Sequence, residues 1–294
     1  MDFTLYWFMF PVSICVATLA MLSGIGGAAL FTPIFVLVFP LLGPEYPLES
    51  TVAAIGSALL TQTFGFSSGF VGYFRKRLID FAIVWRFLRI SVPVAISGAL
   101  LAHRVADGLL IFVYAVMVLI LALIHLFVSQ DGVRPAPNLK SVKAPEQRCK
   151  VDNAGREYVY ALPKLGMTGV LYTAIGSFLT GMVSVGIGEV IVPQLTKRGV
   201  PVAIAVAASV AIVIVTVACA SVTLIAKLVG EDGLNAMPWN LVAYTIPGVL
   251  IGGQIGPRLQ GIVLQRTMEH MIAGLFIVLS AAMLMVSLQK FRMP

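Results

Sequence analysis

Long apolar runs separated by short polar intervals dominate the chain. A bilayer-spanning helix takes about 20 residues, and each run reaches or exceeds that length. The runs lie at 4–43, 51–74, 79–102, 107–128, 164–195, 200–228, 238–257 and 267–288. The interval 129–163 is polar and charged, so we predict a loop or small extramembrane segment without a core of its own. We therefore divide the chain into a first transmembrane repeat (1–128), a linker loop (129–163) and a second transmembrane repeat (164–294).

The first run of each half is too long for one simple span and contains residues that interrupt helices. Ser23–Pro33 reads SGIGGAALFTP, and Ser184–Pro193 reads SVGIGEVIVP. Glycine and proline are poor choices inside a continuous helix. We therefore predict one broken helix in each half.

The two halves repeat one another in sequence. Aligning Pro33 with Pro193 places Gly26 on Gly186. PVAISGALLAHR (93–104) also aligns without gaps on PGVLIGGQIGPR (247–258). Two motif pairs in the same order predict an internal duplication. The alternative is that glycine-rich membrane helices resemble one another because small residues permit close packing.

Composition identifies the class of protein. Of the 294 residues, 59% are hydrophobic and 11% are charged, and the mean hydropathy is +0.97. A soluble domain is about half apolar and roughly a quarter charged. Because helices satisfy their own backbone hydrogen bonds in lipid, we predict an all-α polytopic membrane protein. We expect it in the cell inner membrane, as a multi-pass protein.

The net charge of +7 fits cytoplasmic loops rich in Lys and Arg. No basic run is interleaved with aromatic residues, so we expect no nucleic-acid partner. If the two long runs were single spans, the halves would be parallel. If each run instead returns as a re-entrant hairpin, the positive-inside rule holds in both halves and 129–163 is cytoplasmic. We favour the second arrangement: two inverted repeats, each a broken helical hairpin followed by three transmembrane helices.

A physical reason favours a ligand site at the breaks. A broken helix leaves backbone groups unpaired, which is tolerable in a membrane only inside a protein-enclosed cavity. The N-terminus of a helix carries partial positive charge and free N–H donors. Two broken segments that meet near the midplane are typical of transporters that bind a small anion.

The motifs resemble those of a known family. GIGGAALFTP (24–33) and VGIGEVIVP (185–193) resemble the glycine-rich signatures of the TauE/SafE-type sulfite exporters, also called 4-toluene sulfonate uptake permeases. STVAAIGSALLTQTFG (50–65) and GYFRKRLIDF (72–81) are similar to the next motif of that family. The resemblance implies a membrane carrier that moves sulfite, organosulfonates or related small anions without ATP. The two breaks are unequal, since Ala28 aligns with Gly188, so the substrate is expected to be asymmetric.

Candidate substrate-binding residues are glycines in the breaks, polar residues of the second span, and second-half residues of similar type. They are Gly24, Gly26, Gly27, Ser57, Thr61, Gln62, Gly186, Gly188, Gln194 and Ser209. The glycines are candidate backbone donors to an anion, and close helix packing is the alternative. Ser57 and Thr61 share a helix face at i, i+4 and either line the pathway or make interhelical hydrogen bonds.

Charged candidates complete the set. Glu189 is the acid inside the second broken segment and is a candidate for proton coupling, because intramembrane carboxylates are costly. The alternative is that Glu189 lies near the cytoplasmic end of the broken segment, close to Lys197, and has no coupling role. Four arginines could steer anions, although anchoring at the membrane interface is the alternative for each. These are Arg86, Arg89, Arg104 and Arg258.

These features predict a secondary transporter for a small sulfur-containing anion, with export by alternating access at a midplane site. The alternatives are an anion channel and a proton-coupled uptake permease for another organic anion. A membrane-embedded enzyme would need a nucleophile or metal set, and no HExxH, Walker A or GxSxG motif occurs. We expect no cofactor, metal or catalytic residue. The expected partners are the anionic substrate, the lipid bilayer and protons as a candidate coupling ion, with no prediction of oligomeric state.

Overall fold

A computed structural model describes residues 4–23, 26–127, 147–259 and 265–292. In the first half, the helices are α1 (Met9–Ser23), α2 (Ala28–Pro33), a π-helical turn (Ile34–Val38), α3 (Phe39–Leu42), α4 (Thr51–Arg75), α5 (Phe81–Ala102) and α6 (Asp107–Phe127). In the second half they are α7 (Met167–Val183), α8 (Ile187–Thr196), α9 (Val202–Asp232), a 3₁₀ turn (Leu234–Ala236), α10 (Trp239–Leu259) and α11 (Gln265–Arg292). Each half thus contains a broken helix followed by three long helices.

Four helices are long and apolar enough to cross a membrane. Within the described residues they are Phe81–Ala102, Asp107–Ile124, Val202–Asp232 and His270–Lys290. This confirms the prediction of an all-α polytopic membrane protein.

Both broken helices fold back on themselves as hairpins. In the first half, the Tyr6 hydroxyl donates to the carbonyl oxygen of Tyr46 at 2.9 Å, and the Tyr6 and Phe39 rings stack at 5.1 Å. In the second half, the Gln194 amide donates to the carbonyl oxygen of Gly169 at 2.9 Å. The end of each short helix therefore lies beside the start of the helix that precedes it.

The directions of the packed helices relate the halves to each other. Contacts between α4 and α10 advance together along both helices, from Thr61 and Thr245 to Ser68 and Leu250, so these helices are parallel. Contacts between α6 and α11 run in opposite senses, because Ser280 donates to Ala115 and Ser287 donates to Gly108. Inverted halves require this antiparallel pairing of their last helices. The inverted repeat itself stays a prediction, which these directions support.

Glycines let helices from different halves cross with their backbones in contact. A Cβ on Gly98 of α5 would collide with the carbonyl oxygen of Phe178 in α7. In the matching crossing, a Cβ on Gly252 of α10 would collide with the carbonyl oxygen of Ile14 in α1. Gly98 and Gly252 are equivalent in the duplicated Pro/Gly motif, so that motif packs α5 on α7 and α10 on α1.

A β-hairpin lies within the interval that we predicted as a loop. Strand β1 (Gln147–Val151) pairs antiparallel with β2 (Glu157–Ala161). In the turn between the strands, Asp152 Oδ1 accepts the backbone N–H of Ala154, and Gly155 has a φ of 78°. Both features are common in tight turns. The Tyr160 hydroxyl donates to Asp80 Oδ2 at 2.7 Å and holds the hairpin on the turn between α4 and α5. The bounds of the linker, 129–163, stay a prediction.

Candidate functional site

The break in the second half is fixed by backbone geometry. Ser184 ends α7 with φ 66°, and its N–H donates to Thr180 O at 2.9 Å. Gly186 then has φ 142° and ψ −52°, a conformation that favours glycine. A Cβ on Gly186 would also lie 2.5 Å from the carbonyl oxygen of Gly176. Glycine at this position therefore lets the chain turn into α8 without backbone strain or a collision.

The Glu189 carboxylate joins the two breaks. Its Oε1 accepts the backbone N–H of Gly26 at 3.0 Å, and its Oε2 accepts the backbone N–H of Gly186 at 3.0 Å. Glu189 lies three residues after Gly186 and so occupies the position from which a capping-box Glu reaches back to its own helix start. The same carboxylate therefore caps α8 and binds the chain that leads into α2.

Other side chains bind further backbone groups around the two helix starts. The N–H of Ala28 donates to Gln62 Oε1 at 3.1 Å, and the N–H of Ile187 donates to Thr180 Oγ1 at 2.7 Å. The Tyr114 hydroxyl donates to the carbonyl oxygen of Ala29 at 2.6 Å. Because lipid supplies no partners for these groups, the protein has to supply them itself.

A second contact connects the broken helices directly. The hydroxyl oxygens of Thr32 and Ser184 lie 2.7 Å apart, with Thr32 in α2 and Ser184 at the second break. Both side chains are buried, at 1% exposure each. The hairpins of the two halves thus meet through two polar contacts, Gly26 with Glu189 and Thr32 with Ser184.

The site is closed to solvent and lipid in this conformation. Glu189 and Gln62 are each 2% exposed. A buried carboxylate is costly unless donors surround it, and here two amides from two helix starts do so. The electrostatic environment between the hairpins therefore suits one negative charge.

Four predicted residues come together at this point. They are Gly26, Gln62, Gly186 and Glu189, and a Cβ on Gly26 would lie 3.1 Å from both Gln62 Nε2 and Glu189 Oε1. Gly27 is adjacent, and its carbonyl oxygen accepts the N–H of Leu30 within the first turn. Gly188 lies in α8, with Ser209 Oγ 3.5 Å from its carbonyl oxygen. Gly24 lies outside the described residues.

The other polar candidates make contacts elsewhere. Ser57 donates to Ala53 O in its own helix, and the Thr61 hydroxyl lies 2.7 Å from that of Thr245. Gln194 binds Gly169 at the far end of the second hairpin. In this conformation the contacts of Thr61 and Gln194 are interhelical, and that of Ser57 lies within one helix. A role of these residues in substrate binding stays a prediction.

The candidate steering arginines are exposed and lie outside the buried site. Arg86 donates to the carbonyl oxygen of Pro163 at 3.1 Å, and Arg89 is on the same helix. Arg104 follows His103, whose ring lies 3.3 Å from Glu231 at the end of α9. Arg258 follows Pro257, whose carbonyl oxygen accepts from Lys76 at the end of α4. Arg104 and Arg258 therefore lie at opposite ends of the bundle, as expected for inverted halves.

Sequence reasoning missed Thr32, Thr180, Ser184 and Tyr114. The sequence does carry a signal for Thr180 and Ser184. Hydroxyl residues recur at helical spacing in this segment, at Thr173, Ser177, Thr180 and Ser184. The first three donate to the carbonyl oxygen four residues earlier, and Thr180 additionally accepts from Ile187. Tyr114 carries no such signal, since its role depends on how α6 packs against α2.

The fold and this site define a polytopic helical membrane protein with two broken helices that share one buried carboxylate. The model of the sulfite exporter TauE/SafE family matches residues 9–283, so the chain belongs to this family. No curated protein and no solved structure matches the chain. Family membership implies a multi-pass membrane transporter of sulfite or related anions. Its partners are therefore a small anionic substrate and the lipid bilayer.

We predict that Gly186→Ala destabilises the second hairpin. The added methyl group would collide with the carbonyl oxygen of Gly176. The backbone at position 186 also has a φ of 142°, which alanine rarely adopts. Overpacking of this kind costs roughly 1–3 kcal/mol of unfolding free energy. Thermal unfolding of the purified protein in detergent measures the effect.

The matched control is Gly274→Ala in α11, where an added Cβ meets nothing within 4 Å. This control is expected to stay within about 0.5 kcal/mol of the original protein. Equal stability of both variants would contradict the geometry assigned to the second break.

Proposed function

We propose that the protein exports a small sulfur oxoanion, sulfite or an organosulfonate, across the cell inner membrane by alternating access. The observation that carries this proposal is the Glu189 carboxylate, whose oxygens accept one backbone N–H from each half. A site that holds one oxoanion between two sets of helix-terminal donors is suited to another oxoanion. The substrate would take the place of Glu189.

The donors constrain the shape of the anion. Gly26 N and Gly186 N approach two different oxygens of one group, each at 3.0 Å. Sulfite and sulfonate groups carry several oxygens on one atom, so they can accept from both amides at once. A halide ion offers one centre and no separate oxygens. The geometry therefore favours oxoanions over halides.

The two hairpins provide a mechanism for alternating access. The site lies where they meet, and the Thr32–Ser184 contact is a second hydrogen bond between them. We propose that the halves are inverted repeats that rock about this contact region, so that the site opens to one membrane face at a time. The antiparallel pairing of α6 with α11 supports this relation.

Glu189 supplies a route for proton coupling. Protonation would make the carboxyl group neutral and weaken its hold on the two amides, because charge-assisted hydrogen bonds are the stronger ones. The substrate could then bind without a second negative charge beside it. Export also follows the inside-negative potential, which contributes about 2.3 kcal/mol per charge per 100 mV. The same carboxylate favours a second candidate, proton-coupled uptake of another organic anion.

We predict saturable uptake of radiolabelled sulfite into proteoliposomes that contain the purified protein. Preloading the vesicles with unlabelled sulfite is expected to accelerate uptake, because a carrier exchanges substrate faster than it returns empty. Taurine, sulfoacetate, thiosulfate and sulfate serve as competitors. Flux that stays linear with concentration and shows no exchange would instead identify a channel.

We predict that Glu189→Gln abolishes the response of transport to a pH gradient, because glutamine retains the size of the side chain but cannot bind the proton. The substrate for this test is methanesulfonate, whose sulfonate group stays ionised over the pH range used. The control is Glu231→Gln, which removes an exposed acid at one end of the bundle. A variant at position 189 that responds to the gradient as the original protein does would remove Glu189 from the coupling mechanism.

A further inference from the structure

A basic cavity lies at the membrane surface, away from the buried site. It has a volume of about 420 Å³ and is lined by Phe74, Arg75, Arg77, Ile79, Phe81 and Lys150. These residues come from the end of α4, the turn into α5 and strand β1. The β-hairpin contributes Lys150 to the wall of the cavity.

Three hydrogen bonds fix the hairpin in this position. Lys150 donates to the carbonyl oxygen of Ile79 at 3.0 Å, and the Asn153 amide donates to that of Arg75. The Tyr160 hydroxyl donates to Asp80. Lys150 is thus held at the wall of the cavity, opposite the α4 arginines.

Positive charge is concentrated around the cavity. Arg75 ends α4, Lys76 and Arg77 follow it, and the hairpin adds Arg148, Lys150 and Arg156. Of the nearby acids, Asp80 accepts from Tyr160, and Asp152 accepts from Arg156 at 2.8 Å. The pKa of Lys76 lies below its ordinary value because of partial burial and the neighbouring Arg156 guanidinium. The cations that line the cavity therefore exceed the acids that could neutralise them.

Arg77 is held in a backbone conformation that favours glycine. Its φ is 58°, and its N–H donates to the carbonyl oxygen of Phe74 at 2.9 Å. Glycine is the usual residue where a helix ends with a left-handed residue. An arginine at this position adds a cation to the cavity at the expense of backbone strain.

Exposed aromatic side chains lie in the cavity wall, at Phe74 and Phe81, and one helical turn further along α5, at Trp85. Phe74, Phe81 and Trp85 are 55%, 54% and 61% exposed, respectively. The Phe74 and Phe81 rings meet edge to face at 6.5 Å. Exposed aromatic residues at the end of transmembrane helices are typical of the level of the lipid headgroups. The cavity therefore combines phosphate-binding cations with a surface suited to the upper part of an acyl chain.

We propose that this cavity binds the phosphate group of an anionic phospholipid, whose chains lie over Phe74, Phe81 and Trp85. Arg75 and Arg77 present guanidinium groups suited to bidentate phosphate binding, and Lys150 adds a compact charge. Basic pockets at the ends of transmembrane helices recognise lipid headgroups by this chemistry. The proposal does not depend on the identity of the transported anion.

Native mass spectrometry of the purified full chain in detergent tests the proposal. The probes are phosphatidylglycerol and phosphatidylcholine with the same acyl chains, and inorganic phosphate in a separate arm. We expect a preference for phosphatidylglycerol that falls roughly fivefold for each cation removed in Arg75→Gln, Arg77→Gln and Lys150→Gln. Lys227→Gln, at the opposite end of the bundle, is the matched control and retains the preference.

Arg77→Gly separates binding from folding. Glycine relieves the strained backbone, so the melting temperature in detergent is expected to equal or exceed that of the original protein while lipid binding weakens. Equal binding of both lipids by the original protein would overturn the proposal. Displacement of phosphatidylglycerol by inorganic phosphate at equal concentration would assign the cavity to free phosphate instead. Variants that alter sulfite flux but not lipid preference would make it a substrate vestibule.

Discussion

The Glu189 carboxylate accepts hydrogen bonds from two backbone amides, one at each helix break. The contact between the two broken helices depends on this group. A helix that breaks in lipid exposes N–H groups that need partners, and the amides of Gly26 and Gly186 find theirs in one carboxylate. Glu189 belongs to the second half, so Gly186 finds its acceptor within its own half, whereas Gly26 finds its acceptor in the other half. The Glu189 carboxylate thus caps the second break and joins it to the first.

Close helix crossings make this arrangement possible. The first helix of each hairpin crosses a long helix of the other half. Gly252 brings α10 into backbone contact with α1, and Gly98 brings α5 into backbone contact with α7. These crossings hold each hairpin against the opposite half, which places the two breaks face to face. The duplicated Pro/Gly motif is therefore a packing motif that helps to position the two breaks around Glu189.

Much of this could be read from the sequence, because the bilayer imposes strong constraints. Hydrophobic length gave the spans, and glycines in the first run of each half marked the breaks, with Gly26, Gly186 and Glu189 among the candidates. The roles of Thr61 and Gln194 could not be read, since a hydroxyl or amide on a buried face serves a pathway or a neighbouring helix equally well. The β-hairpin was missed because EYVYA is short and follows a polar interval. Tyr114 was missed because only three-dimensional packing brings α6 to α2.

Cross-linking the two hairpins tests most directly whether they must separate for transport. Thr32→Cys and Ser184→Cys would place two thiols where the hydroxyl oxygens now lie 2.7 Å apart, in a background with Cys15, Cys149 and Cys219 replaced by serine. Sulfite flux is measured before oxidation, after disulfide formation and after reduction. If the hairpins separate during transport, the disulfide stops flux and reduction restores it, while each single-cysteine variant is unaffected by oxidant. Full flux through completely cross-linked protein would contradict alternating access at this site.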